Sequence, residues 1–267
     1  RKRKKVRIPN AVVSELVQQG GEYLQRGRYL EAIDLLEQAL DCFPQHAVPL
    51  LVQVYEIYKK LPEDRYQLYQ ARHFDFGITP ADKVLDIGSG SLPFPLATHL
   101  AEFAVHEDQY GRAGVPFKFV AGKQVTECSV EDMPFQDKEF DFVYCSHVLE
   151  HVHDPERACR ELMRVARRGF IETPIRGKDL FLNTAKVSNH RWGMEYLNDT
   201  LVFTEYTPEE IAGLNCNLLM DMNLAPQTDR EKAFSALMVL KSDVLNVMFT
   251  WEQNGFAYEV RRRKPAA

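Results

Sequence analysis

The spacing of hydrophobic residues along the chain changes once, near residue 80. Over residues 11–61, apolar side chains recur every three to four positions, which is typical of amphipathic helices. Prolines interrupt this pattern and predict where the helices end. The pattern predicts helices at about 11–24, 29–43, 47–60 and 66–74.

After residue 80, short apolar runs alternate with amphipathic stretches. The clearest runs predict buried strands at 84–87, 140–145 and 169–173. Residues 155–168 have helical spacing, and Asp154 before Pro155 is typical of a helix N-cap. Strands separated by helices imply a parallel sheet with right-handed crossovers.

Near the C-terminus, two apolar stretches flank an Asn-Gly pair. Residues 245–251 and 256–262 surround Asn254 and Gly255. Because Asn-Gly strongly favours a tight hairpin turn, we expect the sheet to close with an antiparallel hairpin.

Charge is unevenly distributed along the 267 residues, whose net charge is −5. Residues 1–7 carry six Lys or Arg and 261–264 add four, which leaves 23 basic against 38 acidic residues elsewhere. An acidic body argues against a nucleic-acid surface, which needs a basic stripe. We expect residues 1–10 to be a disordered basic tail, although such a tail can also touch an anionic partner.

Cysteine usage and hydropathy favour a cytoplasmic protein. The five cysteines are widely spaced without a Cys-x-x-Cys pair, which fits reduced thiols better than a disulfide frame or a zinc site. No apolar stretch approaches the length of a membrane span. No signal peptide is evident, and because the chain does not begin with Met, an upstream segment can precede it.

A glycine-containing loop follows the first buried strand. The strand contains Asp86, and Gly88 and Gly90 follow at alternate positions. Glycines at such a place let backbone N–H groups approach a ligand closely. The loop therefore predicts a site for a nucleotide-like cofactor.

Four segments in order resemble the class I S-adenosylmethionine-dependent methyltransferases, specifically the type 11-like subgroup. They are 84–90, 128–135, 140–145 and 147–152. The resemblance covers about residues 80–175. It implies a Rossmann-like, mostly parallel α/β sheet and S-adenosylmethionine as cofactor.

The resemblance also implies a cofactor site. Gly88 and Gly90 would direct backbone N–H groups at the ligand's carboxylate, Asp86 would order the loop or meet the ammonium, and Ser129 would accept from the adenine amino group. The full set of implied cofactor-binding residues is Asp86, Gly88, Ser89, Gly90, Glu102, Ser129, Val130, Cys145 and His147.

Glu102 depends on how the second strand is placed. If residues 97–102 form that strand after an unusually short first helix, Glu102 ends it and takes the ribose hydroxyls. If residues 96–104 form the helix instead, the next apolar run, 117–121, ends without an acid. We favour Glu102.

The segment 175–230 is too long for a plain connection and predicts an acceptor-side insertion. We expect His190 to face the acceptor as a catalytic residue, with Arg191 and Trp192 binding the substrate, although a loop-anchoring role is equally compatible with the sequence. His151 is a second candidate for a general base.

The segment His147-x-x-Glu150-His151 also spells an inverted zinc motif. No third ligand is evident in the sequence, and helix-start capping and packing next to the cofactor explain Glu150 and His151. We therefore expect no metal.

The N-terminal helices resemble a tetratricopeptide repeat. The offsets of six residues match the repeat: Gly20, Tyr23, Tyr29, Ala32, Ala39 and Pro44. A lone repeat cannot bury its faces, so it must lean on the neighbouring domain or bind a protein or peptide partner.

These observations predict a helical segment at 11–62 and a methyltransferase domain at 63–267. The favoured function is methyl transfer to a hydroxyl, amine or carboxylate of a small molecule or sugar. The alternatives are methylation of a peptide or protein held by the helical repeat, and a non-catalytic scaffold with the methyltransferase fold.

Overall fold

A computed structural model describes the chain in four stretches: residues 10–42, 47–107, 114–213 and 217–263. Predictions about the basic tail at 1–9, Pro44, Cys216 and Lys264 lie outside these stretches. In the part that is described, no helix is long and apolar enough to cross a membrane.

Along the described stretches, α-helices come first, and strands interleaved with further helices follow. The helices are α1 (Asn10–Gln25), α2 (Tyr29–Cys42), α3 (Ala47–Tyr58), α4 (Ala71–His73), α5 (Pro155–Val165), α6 (Arg176–Phe181), α7 (Thr184–Val187), α8 (Pro208–Gly213), α9 (Leu218–Leu224), α10 (Asp229–Leu240) and α11 (Ser242–Leu245). The strands are β1 (Val84–Ile87), β2 (His99–Glu102), β3 (Gln124–Glu127), β4 (Phe140–Ser146), β5 (Ala166–Pro174), β6 (Trp192–Leu197), β7 (Thr200–Glu205), β8 (Asn246–Trp251) and β9 (Ala257–Arg261). A π-helical turn spans Tyr66–Gln70, and a 3-10 turn spans Leu149–His151.

The chain divides into two compact units, which we call the helical unit and the sheet unit. The helical unit comprises 10–63, Gln67–Arg72 and Asp221–Lys241. The sheet unit comprises Asp64–Tyr66, His73–Met220 and 242–263. The predicted boundary therefore differs from the observed one at residues 67–72 and 221–241, which belong to the helical unit and not to the predicted domain at 63–267.

The helical unit confirms the three predicted N-terminal helices within a few residues. Its core joins α2 and α3 to α10, whose Ala233, Ala236 and Leu240 are buried in the same apolar cluster. A capping box at Thr228 and Glu231 starts α10. A helix distant in sequence thus covers α3, while the likeness to a tetratricopeptide repeat stays a prediction.

The main sheet has the strand order β3-β2-β1-β4-β5-β8. Its first five strands are parallel, and β8 pairs antiparallel with β5. This confirms a Rossmann-like, mostly parallel sheet with an antiparallel strand at its end. In such a sheet the carboxyl ends of the parallel strands lie at one edge, where ligands bind.

Successive side chains of the central strands enter two different cores, as pleating requires. Leu85 and Ile87 face a core that contains α5 residues, whereas Val84 faces one made largely of Phe and Tyr rings. In that second core, Phe94 and Tyr144 stack with ring centroids 4.2 Å apart. Loop aromatics there cover a sheet face that helices cover in most α/β folds.

The crossover from β1 to β2 lacks the short helix that the sequence predicts. Residues 88–98 form turns, and Thr98 Oγ1 accepts from the Val84 N–H at 2.9 Å. The prediction that the second strand ends at Glu102 is confirmed.

The predicted hairpin forms its turn but not its strand pair. An antiparallel bridge joins Glu252 and Gly255 across the Asn-Gly turn. The chain then leaves the main sheet, and β9 pairs parallel with β7 in a second sheet of order β6-β7-β9. The strand β8 therefore closes the main sheet alone.

The helix before β5 is shorter than predicted. Asp154 caps it by accepting from the Arg157 N–H at 3.0 Å, as the sequence suggests. It ends at Val165, because Ala166 is already paired with Phe140 of β4. Strand pairing thus overrides helical spacing in the last turn.

Candidate functional site

The loop after β1 is held in a left-handed conformation by its glycines. The φ angles are 74° at Gly88 and 54° at Gly90, a region that other residues enter with strain. A Cβ on Gly88 would collide with Cγ2 of Val148. The end of β1 therefore packs directly against the segment after β4, and a side chain at position 88 is excluded.

The N–H groups of this loop are paired within the protein. Gly88 and Ser89 donate to the Ala101 carbonyl at 2.8 and 3.1 Å. The Gly90 N–H donates to Glu102 Oε2 at 2.9 Å. The prediction that the glycine N–H groups face the ligand's carboxylate is therefore wrong, because the neighbouring strand already uses them.

Glu102 lies at the position that its proposed role requires. Its carboxylate is 7% exposed and also accepts from the Phe103 N–H at 2.8 Å. The carboxylate thus fixes the glycine loop against the end of β2. Its contact with the ribose hydroxyls stays a prediction.

Asp86 is buried at the carboxyl end of β1. It is 2% exposed, and its Oδ2 accepts from the Phe94 N–H at 2.7 Å. Burial raises the pKa of Asp86 to about 7, against the lowering effect of that hydrogen bond and of the nearby Ser89 hydroxyl. Ser89 Oγ itself is buried and makes no hydrogen bond of regular geometry. The loop therefore holds a buried hydroxyl beside a carboxyl group whose pKa lies near neutrality.

Ser129 and Val130 lie in the turn after β3, at the same edge of the sheet. Ser129 Oγ accepts from the Glu131 N–H at 3.1 Å, and Val130 is 6% exposed. Their contacts with the adenine ring stay predictions.

Cys145 and His147 differ in what they can contact. The Cys145 side chain is fully buried in the core, so its backbone is the part that is left to line a cofactor, and that contact stays a prediction. His147 has a φ of 58° and anchors its N–H on the Glu172 carbonyl at 2.8 Å. Its side chain remains 23% exposed at the end of β4.

Glu150 is a fully buried carboxylate on the 3-10 turn after β4. Its Oε2 accepts from Thr173 Oγ1 at 3.1 Å. Its Oε1 makes no hydrogen bond, and His147 Nδ1 lies 3.4 Å away. Burial favours the neutral form, but the surrounding histidines, His147 above all, hold the pKa of Glu150 well below its usual value.

The structure brings His151 and His190 together, while their catalytic roles stay predictions. Their rings meet edge to face with centroids 4.6 Å apart. His190 Nδ1 lies 2.8 Å from Asp179 Oδ2, which also accepts from Tyr206 Oη at 3.1 Å. Burial lowers the pKa of His151; it also acts to lower that of His190, but the Asp179 hydrogen bond and the Glu150 charge raise the His190 pKa above its usual value.

A cavity of about 460 Å³ opens beside His190. Basic side chains prevail among the charged residues of its wall: Lys186, Arg191, Arg262 and Arg263 against Glu205. Arg263 pairs with Glu205 at 3.6 Å and Arg262 with Glu156 at 2.6 Å. Arg191 is exposed at the mouth, as a substrate-binding residue would be.

Trp192 is mainly a core residue. It is 2% exposed, and its Nε1 donates to the Val152 carbonyl at 2.7 Å. Its ring forms part of the cavity wall beneath the Arg262 guanidinium. The prediction that Trp192 binds substrate is corrected to this role, in which it supports the wall.

A buried polar network at the ends of β4, β5 and β8 is not predicted by the sequence. Glu172 Oε2 accepts from Ser146 Oγ at 2.8 Å, and Asn246 Oδ1 accepts from Lys178 Nζ at 2.6 Å. Burial lowers the pKa of Lys178. Glu172 directly follows the apolar residues Phe170 and Ile171 in β5, and an acid at that place is the one signal in the sequence. Nothing in the sequence placed Asp179 or Asn246 nearby.

Comparison with known proteins identifies this arrangement. A family model described as "Methyltransferase domain" matches residues 85–171, which run from β1 through β5. The chain contains a methyltransferase domain. The match agrees with the S-adenosylmethionine cofactor that the sequence motifs imply.

Two of the relatives are methyltransferases named for menaquinone or ubiquinone. A demethylmenaquinone methyltransferase from Clavibacter sepedonicus is 28% identical over 142 residues, covering 45% of this chain and 58% of that protein. A ubiquinone/menaquinone biosynthesis C-methyltransferase from Xanthomonas campestris is 30% identical over 107 residues, covering 34% of this chain and 41% of that protein. The chain thus spans about half the length of these relatives.

A solved structure of a methyltransferase from Thermotoga maritima is also similar. It is 19% identical, covers 66% of this chain and 78% of its own, and has a TM-score of 0.37.

The residues of the methyltransferase domain fit S-adenosylmethionine. The left-handed glycine loop, the buried Ser89 hydroxyl without a partner and the ionisable Asp86 adjoin one another. Glu102 fixes the loop from the next strand. A sulfonium methyl group is already activated, so the protein's own task is to position the acceptor and to manage its proton.

Proposed function

We propose that the chain transfers a methyl group from S-adenosylmethionine to a hydroxyl, amine or carboxylate of a small molecule or sugar. The observation that carries this proposal is the His190–Asp179 pair at the wall of the cavity. Acceptor hydroxyls and ammonium groups must lose a proton as they are methylated, and an imidazole is the usual base.

His190 takes that proton in our account. Asp179 hydrogen-bonds Nδ1 at 2.8 Å and so leaves Nε2 for the acceptor. The same carboxylate is held by Tyr206 Oη and by Thr184 Oγ1 at 2.8 Å. The imidazole is therefore held in one orientation, and the carboxylate stabilises the imidazolium that forms.

Arg191 orients an anionic group of the acceptor. The charged side chains of the cavity wall are mostly basic. Arg262 and Arg263 are each held in an ion pair, whereas Arg191 makes no ion pair with any of the described residues. A carboxylate or phosphate suits a guanidinium, which can bind it through two parallel hydrogen bonds. The favoured acceptor is therefore a small anionic molecule, such as a sugar acid or sugar phosphate.

The test is formation of S-adenosylhomocysteine with matched pairs of anionic and neutral hydroxylated acceptors. We expect turnover with an anionic member, and we expect His190→Gln to lower kcat by about 100-fold while S-adenosylmethionine binding is kept. An unchanged kcat in His190→Gln would remove His190 from the reaction. Phenolic and quinol acceptors belong in the same panel, since the relatives above are named as a demethylmenaquinone methyltransferase and a ubiquinone/menaquinone biosynthesis C-methyltransferase.

A further inference from the structure

A trio of potential metal ligands lies in the interior of the sheet unit. Glu150, His151 and His190 each offer one ligand atom, and these atoms lie within 4.8 Å of one another. The sequence supplies the first two as part of an inverted zinc motif but gives no third ligand nearby. The fold supplies it from residue 190, because the His190 side chain meets the 3-10 turn that carries the other two.

Glu150 has one weakly satisfied oxygen. Its side chain is fully buried, and Thr173 donates to Oε2. Oε1 makes no hydrogen bond of regular geometry, and its nearest charged neighbour is His147 Nδ1 at 3.4 Å. A buried carboxylate without a full set of donors is costly, and a bound cation lowers that cost.

His190 is already arranged as metal-bound histidines usually are. Its Nδ1 bonds the Asp179 carboxylate at 2.8 Å, which leaves Nε2 for a ligand. Metal-ligating histidines almost always place their second nitrogen against a carboxylate or carbonyl in this way. With Glu150 and Asp179 both fully buried, the charge of the surroundings also favours a cation.

We propose that Glu150, His151 and His190 form a binding site for a divalent transition-metal ion of the zinc class. Two imidazoles and one carboxylate are a recurrent donor set for such ions. Ligand atoms bonded to one zinc ion lie at most about 4 Å apart, so the trio has to contract slightly on binding. His190 Nε2 cannot bind the ion and take the acceptor's proton at the same time. The metal-loaded protein is therefore a different state from the one in which His190 acts as the base.

Calorimetric titration of the untagged, chelator-treated full chain with zinc alone tests the site. We expect one ion per chain with micromolar or tighter affinity. Glu150→Gln, which keeps the side-chain volume, and His190→Gln should each weaken binding by at least about 100-fold. Asp179→Asn, which removes a buried negative charge and the carboxylate partner of His190 Nδ1, should weaken it by about 10- to 100-fold.

His153→Ala is the matched control, because His153 lies two residues from His151 but outside the trio. It should leave zinc affinity unchanged, and the absorption spectrum of the cobalt-loaded protein should report nitrogen and oxygen ligands in the wild type. Circular dichroism checks that each variant folds. If Glu150→Gln does not fold, the zinc affinity of His190→Gln decides whether the site exists. The proposed site would be contradicted if the wild type did not bind zinc, or if Glu150→Gln and His190→Gln both bound it as tightly as the wild type does. The titration uses neither methyl donor nor acceptor, so it stands apart from the outcome for methyl transfer.

Discussion

The two ends of the site are built in opposite ways. At the methyl-donor end, Gly88, Gly90 and Glu102 lie within fifteen residues of one another, and backbone N–H groups of the loop donate to the Ala101 carbonyl and to the Glu102 carboxylate. At the proposed acceptor end, side chains from residues 150, 179, 190 and 206 meet through buried carboxylates. The first end is fixed by hydrogen bonds from the backbone of one loop to the next strand, whereas the second depends on contacts among side chains that are distant in the sequence. Variants at the two ends should therefore fail in different ways.

The largest effect is expected at the donor end, from Gly88→Ala. The new Cβ would collide with Val148 Cγ2, at a φ of 74°. The loop must shift, and displacing a binding group by about 1 Å costs on the order of 100-fold in rate. We expect kcat/KM and S-adenosylmethionine affinity to fall by at least that factor.

Gly122→Ala separates strain from collision, because Gly122 has a φ of 80° but nothing within 4 Å of its Cβ position. It should retain cofactor affinity, and adding Val148→Ala to Gly88→Ala should restore part of the loss. Equal damage from both single variants would mean that backbone strain alone matters.

At the acceptor end, Asp179→Asn should lower kcat by about 100-fold and leave S-adenosylmethionine affinity within about twofold. The amide cannot stabilise the imidazolium that forms on His190. Asp199→Asn, at an exposed turn between β6 and β7, is the control. A fall in cofactor affinity that matches the fall in kcat would show that the two ends are not separate.

A smaller effect concerns the protonation of Asp86. Burial raises its pKa to about 7, so at pH 6 most of the free protein carries the proton there. A bound ammonium favours the carboxylate, so binding releases a proton, and affinity should rise by about fivefold from pH 6 to 7 and by about twofold more from pH 7 to 8 before it levels off. Calorimetry at pH 6 in two buffers of different ionisation enthalpy measures the released proton. The same release in Asp86→Asn would assign it to another group.

The smallest expected effect comes from Trp192→Phe. The variant loses the hydrogen bond to the Val152 carbonyl and part of the contact with Arg262. We expect the free energy of unfolding to fall by about 1–2 kcal/mol with kcat nearly unchanged, measured by urea unfolding. A large loss of acceptor affinity at full stability would return Trp192 to the substrate site.

The sequence predicts the donor end well because that end is local. Strand β1, its two left-handed glycines and Glu102 follow from short-range spacing. Even there, the neighbouring strand takes the glycine N–H groups, and pairing of that kind is not encoded in the loop itself. His190 and His151 were identified by residue type, but their meeting depends on the path of the chain between β5 and β6.

Elements that depend on distant pairing were predicted less well. The Asn-Gly turn forms as its sequence requires. The strand β9, however, pairs with β7, which lies in the segment 175–230 that the sequence predicts to be an insertion. Likewise, α10 covers α3 in the helical unit although about 170 residues separate them in the sequence. Local sequence patterns specify where helices and strands form, whereas the burial of apolar side chains decides which of these elements pack together.

The most direct test of the account is a structure of the protein with S-adenosylhomocysteine bound. We predict the homocysteine end beside Asp86 and Ser89, and the ribose at Glu102. The acceptor atom must lie about 3 Å from the methyl carbon and about 3 Å from the base. The sulfur should therefore lie within roughly 8 Å of the His190 ring, counting the bond to the methyl group. A ligand bound away from the glycine loop, or a sulfur far beyond that distance from His190, would contradict the proposed reaction.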